Sequence, residues 1–408
     1  MDQREVFGVE LRRRRVAAGK SLKALSAELN YSKGHISKIE TGATRPTTQF
    51  ARLADAVLAA DGALSRLVPH DSAHDSPGGA PEADPFPLNL DVPDLRVNRA
   101  AAEAVAEDDA TEVLLRVQFD TIREMGKRVE PRLVIPTLTA QLQSLRAVLL
   151  AARQPEARRR LGLLAARYVE YLGWMAQEAG LRDEATRRTM QFAALAVDAG
   201  DPGLASYALV RRAELAMYAG DAISTIELAQ RALADPHADP RIRGLALHRL
   251  AQGYAQRGEY SLSRTALDDA DLALAESSDS GPGGPVIGSS TIADLGGVVA
   301  GWCLYDLGRP AEAADLLELA LSRTAPEARR ARALHGVRLA LAHEAAGELD
   351  RMYATAMRAL DDARPLGSAT VRSQLQRLSW AVQRRHGHPP ARELHLEITA
   401  ALHDGDPM

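Results

Sequence analysis

Cysteine and aromatic residues are scarce in this chain. Cys303 is the only cysteine among 408 residues, so an intramolecular disulfide is impossible, and we expect its thiol to be a small buried apolar group. Aromatic residues make up only 4% of the chain, whereas hydrophobic residues make up 46%. Alanine, leucine and arginine, which are good helix formers, dominate. The composition predicts an all-α protein that is long enough for two or three domains and a large core.

Signals for secretion, membrane insertion and catalysis are also missing. The sequence has no signal peptide and no run of about 18 apolar residues. It contains no P-loop, dinucleotide-binding glycine pattern, nucleophile elbow or zinc-protease helix. His386 and His388 precede two prolines and lack cysteine or carboxylate partners at metal-ligand spacing. We therefore expect a cytoplasmic binding protein that is not an enzyme, with no catalytic residue, no metal, no cofactor and no membrane contact.

Charge is distributed unevenly along the chain. Residues 1–68 hold 12 Lys and Arg against 7 Asp and Glu, a balance of +5, while the whole chain has a formal charge of −4. The remaining residues therefore carry −9. A basic segment at the N-terminus is typical of a domain that contacts DNA, because phosphates attract it.

Residues 21–42, SLKALSAELNYSKGHISKIETG, have the pattern of a helix-turn-helix motif. Leu22, Leu25 and Leu29 fall on one face of a first helix, and Ile36 and Ile39 fall on one face of a second, so the two helices can share a core. The same pattern predicts serine N-caps at positions 21 and 32, and a left-handed helix stop at the glycine of position 42.

Residues 7–68 resemble the phage-repressor-like (Xre) family of helix-turn-helix domains, which are five-helix units. The motif above, a following Arg45-Pro46, and flanking segments with apolar faces carry the resemblance. In the flanking helices we expect Phe7, Leu11, Phe50, Leu53 and Val57 to point inward, and GALSRLV at 62–68 to form the fifth helix. The predicted DNA-binding domain spans residues 1–69.

The resemblance implies a role for individual side chains. Base edges in the major groove would be contacted from the second motif helix, with Lys33 and Lys38 as the main readers, and the flanking phosphates from other residues. The implied DNA-binding residues are Ser21, Lys23, Ser32, Lys33, His35, Ser37, Lys38 and Arg45, of which Ser21, Lys23 and Arg45 are assigned to phosphates. His35 is equally compatible with stabilising the turn. Arg15 and Glu40 correspond to a structural ion pair of the family.

Two positions depart from the family pattern. Leu22 stands where the family often has a glutamine that touches backbone or base, and Gly34 leaves a gap on the reading face. Fewer direct base contacts leave more of the specificity to DNA shape and to the spacing of two half-sites.

Residues 70–95 are predicted to be an extended acidic linker. They contain five prolines, two glycines and six acidic residues, with no Lys or Arg. Such a composition cannot build a core of its own. An alternative is that this strip lies on the basic DNA-binding domain and inhibits it.

Beyond the linker, residues 96–408 read as successive helices separated by regularly placed glycines. Four segments align on Gly220, Gly258, Gly308 and Gly347, and each has an alanine twelve residues further on, namely Ala232, Ala270, Ala320 and Ala359. Repetition at a fixed period indicates a solenoid of helix pairs. The Gly/Ser/Pro-rich insertion at 275–290 lengthens one repeat, either as a disordered loop or as a lid.

These repeats resemble the tetratricopeptide family. Its small-residue position, where two helices cross closely, is occupied by Ala213, Ala251, Gly301 and Ala340. The resemblance implies a curved inner groove lined by the first helix of each pair, which would bind a peptide, a small molecule or a protein. Candidate lining residues are Arg211, Arg212, Tyr218, His248, Arg249, Gln252, Trp302, Arg338 and His343.

Together, these features predict an all-α bacterial transcriptional regulator. It would bind operator DNA as a homodimer and carry a tetratricopeptide-like sensor, as the peptide-responsive regulators of Gram-positive bacteria do. Two alternatives remain from the sequence: an interaction scaffold in which partner-protein binding is primary, and an antitoxin-like repressor.

Overall fold

The computed structural model describes residues 3–29, 31–60, 62–68, 99–277, 287–288, 292, 294–385 and 387–403. Every regular element within these ranges is a helix, and packed helix pairs form the larger part. The predicted all-α class is therefore confirmed. The predicted linker at 70–95 and most of the 275–290 insertion lie outside the described residues.

The N-terminal unit is a bundle of four α-helices and one 3-10 turn. Its core contains the predicted residues Phe7, Leu11, Phe50 and Leu53, together with Leu25, Leu29, Ile36 and Ile39 of the motif, whereas Leu22 and Val57 are half-buried at its edge. The elements are α1 (Gln3–Ala17), α2 (Leu22–Leu29), α3 (Lys33–Glu40), α4 (Thr48–Val57) and a 3-10 helix (Ser65–Leu67).

The short fifth helix predicted at 62–68 forms as this three-residue 3-10 helix rather than as an α-helix. The buried carboxylate of Asp55 accepts hydrogen bonds from the backbone N–H groups of Leu64 and Ser65, both at 2.8 Å, and from the Ser65 hydroxyl at 2.6 Å. A side chain thus satisfies donors at the start of this segment, and seven residues leave little room for a longer helix.

The C-terminal unit begins with three helices and continues as a series of helix pairs. The three helices are α5 (Arg99–Ala106), α6 (Asp109–Gly126) and α7 (Pro131–Ala151). The first helix of each following pair is α8 (Pro155–Glu178), α10 (Pro202–Tyr218), α12 (Pro240–Gln256), α14 (Leu295–Asp306), α16 (Arg329–Ala346) or α18 (Ala369–Gln383). Their partners are α9 (Arg182–Asp198), α11 (Ala222–Ala234), α13 (Tyr260–Glu276), α15 (Pro310–Ser322), α17 (Leu349–Ala363) and α19 (Pro389–His403).

Small residues allow close packing inside the pairs. The four repeat alanines at 232, 270, 320 and 359 are buried, as are the small residues at 213, 251, 301 and 340. A Cβ atom on Gly301 would lie 2.6 Å from Cγ of Leu317 on α15, so α14 and α15 could not approach as closely with any larger residue. Cys303 on the same helix is buried, as predicted.

The superhelix brings its first pair back against its last pairs. Glu178, at the end of α8, pairs with Arg330 of α16 at 2.6 Å and accepts hydrogen bonds from the hydroxyls of Ser368 and Thr370 beside α18. Arg330 also donates to the backbone carbonyls of Gly126 and Val129, between α6 and α7. These buried contacts join the two ends of the helical series, so that the first helices of the pairs surround a common interior.

Helix α7 is the one helix among the described residues with the length and mean hydropathy (1.3) that would allow a membrane crossing. Its inner face carries Val134, Leu138, Leu142 and Leu145, which are buried in the core shared with α8. Its other side is open to solvent, where Leu133 and Leu150 are exposed.

Candidate DNA interface and candidate ligand cavity

The helix-turn-helix is fixed by the caps that the sequence predicts. The Ser21 hydroxyl accepts a hydrogen bond from the backbone N–H of Ala24 at 3.1 Å, and Ser32 accepts one from His35 at 3.2 Å. Gly42 adopts a left-handed conformation with φ of 73°, as expected for a helix stop. These contacts fix the start of each motif helix and the end of the second.

The arginines of α1 serve mainly as structural residues. Arg15 forms a two-pronged ion pair with Glu40 of α3 at 2.6 and 2.9 Å, as the family resemblance implies. Arg13 and Arg14 both pair with Glu10 on α1 itself. The run of four arginines is therefore largely occupied by acidic partners, rather than presented as one basic patch.

The polar face of α3 is open to solvent. Lys33 and Lys38 are exposed, as is the capping Ser32, while Ser37 is half-buried. The residues assigned to phosphates, Ser21, Lys23 and Arg45, are exposed as well. A Cβ atom on Gly34 would meet no atom within 4 Å, so this position leaves open space on the same face. The hydrophobic face, with Ile36 and Ile39, is buried in the core.

His35 is the one candidate on α3 that packs against other rings. Its imidazole stacks on Tyr31 at 5.4 Å between ring centroids and contacts the edge of Phe50. Partial burial, together with the positive charges of Arg384 and Lys38, lowers its pKa, which keeps the ring neutral at pH 7. This geometry is that of a residue that stabilises the turn, one of its two expected roles.

Arg384, from the last helix pair, also lies beside the motif. Its guanidinium is 6.0 Å from the Tyr31 ring centroid, although more than 350 positions separate the two residues in the chain. Sequence reasoning missed this exposed cation because no local pattern relates the end of α18 to α3.

A cavity lies in the interior of the superhelix. It measures about 1110 Å³, counting the space open to solvent at its mouth. Its wall comes mainly from the first helices of the pairs, α8 to α16, with Lys127, Gly288 and Ile292 from connecting segments. The lining is largely aliphatic and aromatic, as is usual for sites that bind small molecules.

The sequence candidates for ligand binding divide into two groups. Tyr218, Arg249, Gln252 and Trp302 line the cavity. The other five candidates do not line it. Arg211 lies behind the wall and pairs with Glu214, and Arg338 stacks on Trp302 at 4.1 Å from its ring centroid. Arg212 is exposed, His248 is fully buried, and His343 pairs with Glu348 at 2.7 Å.

Several lining residues escaped the sequence analysis. They are Lys127, Trp174, Gln177, Glu178, Glu214, Arg330 and His335. Most come from α8 and α16, which the closure of the superhelix brings together. Trp174 and Gln177 lie in the last turns of α8, shortly before Gly180, and recognising α8 as the first helix of a further repeat would have identified them.

The N-terminal unit packs against the C-terminal unit beside the cavity wall. Arg52 of α4 pairs with Asp306 at the end of α14 at 3.0 Å, and donates to the Gln256 carbonyl at the end of α12 at 3.3 Å. Arg338 and Arg377 approach the same carboxylate at 3.6 and 4.0 Å. Burial alone would raise the pKa of Asp306, but these three guanidinium groups outweigh it and hold the pKa below its usual value.

Asp306 therefore connects the N-terminal unit, which contains the helix-turn-helix, to the cavity. Its partner Arg338 covers one face of Trp302, and Trp302 lines the cavity. Backbone contacts reinforce the junction, because a Cβ atom on Gly308 would lie 2.4 Å from the Arg52 carbonyl oxygen and one on Gly258 would lie 2.8 Å from Cα of Gly62.

Comparison with known families agrees with the N-terminal architecture. A family model described as a helix-turn-helix domain matches residues 6–68. No curated protein matches the chain. The N-terminal unit is thus a helix-turn-helix domain, which indicates a DNA-binding regulator.

Proposed function

We propose that this protein is a sequence-specific transcriptional regulator that binds DNA as a homodimer and senses a ligand in its C-terminal cavity. The observation that carries the proposal is the α3 surface, where Lys33 and Lys38 are exposed on a helix whose other face is locked in the core. This arrangement suits insertion of α3 into the major groove. The proposal assigns no chemical reaction to the chain, and it places the protein in the cytoplasm.

In this proposal Lys33 and Lys38 donate to base edges, while Ser21, Lys23 and Arg45 hold the flanking phosphates. A lysine is a point charge and discriminates less sharply than a two-pronged arginine. One domain of this size would therefore gain little specificity alone. Two domains on half-sites about one helical turn apart would supply the missing affinity.

The exposed face of α7 supports the homodimer. Its 21 residues include only two charged ones, Arg132 and Arg146, and Leu133 and Leu150 are exposed at its two ends. A helical face whose one fully exposed charge is Arg132 is suited to burial against another copy.

The route from ligand to DNA would run through Trp302, Arg338, Asp306 and Arg52. A ligand that moves Trp302 would change the position of Arg338 and thereby the pairing of Asp306 with the DNA-binding unit. An effector acts only through different affinities for two states, so the two states here would differ in how the DNA-binding unit is held.

Selection of genomic fragments by the purified full-length protein tests the proposal. We expect enrichment of DNA with two related half-sites, and affinity that falls steeply with salt because phosphate contacts release counterions. Equal affinity for selected and scrambled duplexes at the same salt concentration would contradict a sequence-specific regulator.

A further inference from the structure

The chemistry of the cavity wall restricts what the cavity can hold. Its apolar surface is supplied by aliphatic residues such as Val298, Val299 and Leu334, and by the aromatic rings of Trp174, Tyr218 and Trp302. Apolar area is the main source of affinity in such sites, since it is removed from water on binding. A ligand that fits must therefore present mostly apolar surface.

The charged side chains of the wall already have partners in the protein. Glu214 pairs with Arg211 and lies 4.0 Å from Arg249. Burial alone would raise the pKa of Glu214, but these arginines lower it, so the carboxylate stays ionised and paired. Glu178 is paired with Arg330 on the other side of the superhelix.

Lys127, the remaining charged lining residue, pairs with Glu124. A charged ligand would have to compete with these pairs and lose its own hydration on entering the cavity. The wall therefore favours a neutral ligand.

Four lining side chains nevertheless carry buried polar atoms without a hydrogen-bond partner among the described residues. They are Nε1 of Trp302, Oε1 of Gln252, Nδ1 of His335 and Nε of Arg330, and each of these residues is at least nine-tenths buried. A buried polar atom left unpaired costs free energy, which a bound molecule could recover. The Trp302 ring nitrogen can only donate a hydrogen bond, and the Gln252 oxygen can only accept one. A ligand that satisfies both must therefore carry one acceptor and one donor.

We propose that the cavity binds a neutral, largely apolar small molecule with a hydrogen-bond acceptor for Trp302 and a donor for Gln252. This inference rests on the proposed function, in which the C-terminal unit is a sensor. A peptide fits less well, because each residue brings an N–H and a carbonyl group that both need partners when buried. Four unpaired side-chain atoms cannot satisfy such a backbone.

The probe for the test is prodan, a neutral naphthalene ketone whose fluorescence shifts in apolar surroundings. Its carbonyl oxygen offers the acceptor that Trp302 lacks. We expect saturable binding of one prodan per full-length chain, and weaker binding of the anionic probe 8-anilinonaphthalene-1-sulfonate. No saturable prodan binding, or preferential binding of the anion, would overturn the proposal.

Matched tryptophan variants locate the site. Trp302→Phe keeps the ring but removes the donor, and we expect about a tenfold loss of prodan affinity. Trp380→Phe is the control, because Trp380 is 65% exposed and lies outside the cavity. Equal prodan affinity in the two variants would overturn the assignment of Trp302.

A third variant, Val298→Trp, narrows the cavity and should weaken prodan binding while far-ultraviolet circular dichroism remains that of a folded helical protein. If this variant does not fold, Trp302→Phe still decides the question. DNA binding is measured on the same samples. If the unaltered protein binds DNA but not prodan, the ligand class alone is contradicted, whereas absent DNA binding by the unaltered protein contradicts the proposed regulator.

Discussion

Lys38 is positioned to test base recognition at the scale of one residue. It is exposed on α3, in the last turn of the helix, and its neighbour Ile39 anchors the helix in the core. We expect Lys38→Ala to weaken specific binding by about 1–3 kcal/mol if the ammonium group donates to a base. Fluorescence anisotropy with the selected duplex at fixed salt measures the change.

The control for this prediction is Lys23→Ala, which removes an exposed lysine assigned to phosphate contact. That variant should weaken binding by similar factors on selected and scrambled duplexes, since phosphates carry no sequence information. An unchanged affinity of Lys38→Ala for the selected duplex would show that Lys38 does not contact a base.

His248 offers a pH prediction. It is fully buried on α12, neither ring nitrogen has a partner, and burial, aided by the charge of Arg249, lowers its pKa to about 3. The unfolded chain therefore binds a proton below its ordinary pKa of 6.5, while the folded chain resists it. Stability contributed by this residue is complete above pH 6.5 and declines as pH falls toward 3, by about 1.4 kcal/mol per pH unit.

We expect His248→Leu to flatten this decline, because leucine has a similar volume and no proton to bind. Urea unfolding followed between about pH 7.5 and pH 4.5 measures the slope. His237→Leu controls for loss of an exposed histidine. A slope in His248→Leu as steep as that of the unaltered protein would contradict the prediction.

The role of a residue could be predicted from the sequence when the residues that determine that role are close to it in the chain. The caps at Ser21 and Ser32, the stop at Gly42 and the exposed lysines of α3 all follow from residues a few positions apart. Arg384 and Arg330 could not be found in this way, because their neighbours come from distant parts of the chain.

At the scale of elements, the repeat glycines have one shared role and, in one case, a second. Gly220 and Gly308 both end a first helix in the left-handed conformation with φ of 77°. A Cβ atom on Gly220 would meet nothing within 4 Å, whereas one on Gly308 would collide with the backbone of Arg52 and Leu53 in α4. Sequence periodicity identified the shared role but not the contact with the DNA-binding unit.

We therefore expect Gly308→Ala and Gly220→Ala to share the cost of the left-handed conformation, about 1–2 kcal/mol. Only Gly308→Ala should also separate α4 from the solenoid. Hydrogen–deuterium exchange should then rise in residues 48–58 of Gly308→Ala, and remain unchanged there in Gly220→Ala. Equal exchange of this segment in both variants would contradict a packed junction.

Helix boundaries and pairing were the most predictable part of the fold. The sequence itself shows the glycine stops and the small residues at a fixed spacing, and they correspond to the observed pairs from α10 to α17. The short 3-10 helix at Ser65–Leu67 was not predictable from the apolar pattern, since the Asp55 carboxylate that satisfies its donors acts from a different helix.

At the scale of the whole molecule, closure of the superhelix determines which residues share the cavity. Tyr218, Arg249, Gln252 and Trp302 were predicted because they occupy first helices of recognisable repeats. Glu178 and Arg330 belong to the wall only because α8 returns to α16, and no periodicity within the sequence specifies that contact. The sequence pattern within each repeat thus predicts which residues line the inner surface of the solenoid better than it predicts which distant helices contact each other.

Arg52 provides the test of whether the two units act together. Its guanidinium is buried against Asp306 and the Gln256 carbonyl, so it helps to fix the DNA-binding unit on the solenoid. In a homodimer with fixed units, binding of the second half-site is favoured by a high effective concentration. We expect Arg52→Ala to weaken binding to a duplex with two half-sites about tenfold, equivalent to ~1.4 kcal/mol, and to leave binding to a single half-site nearly unchanged.

Anisotropy titrations with the two duplexes at one salt concentration measure both affinities. Arg187→Ala is the control, because Arg187 is 65% exposed on α9 and pairs only with Glu184 among its described contacts. An equal loss on both duplexes would mean that Arg52 supports the fold of the DNA-binding unit rather than its placement. Unchanged affinity for both would mean that the junction between Arg52 and Asp306 does not control how two DNA-binding units meet their half-sites.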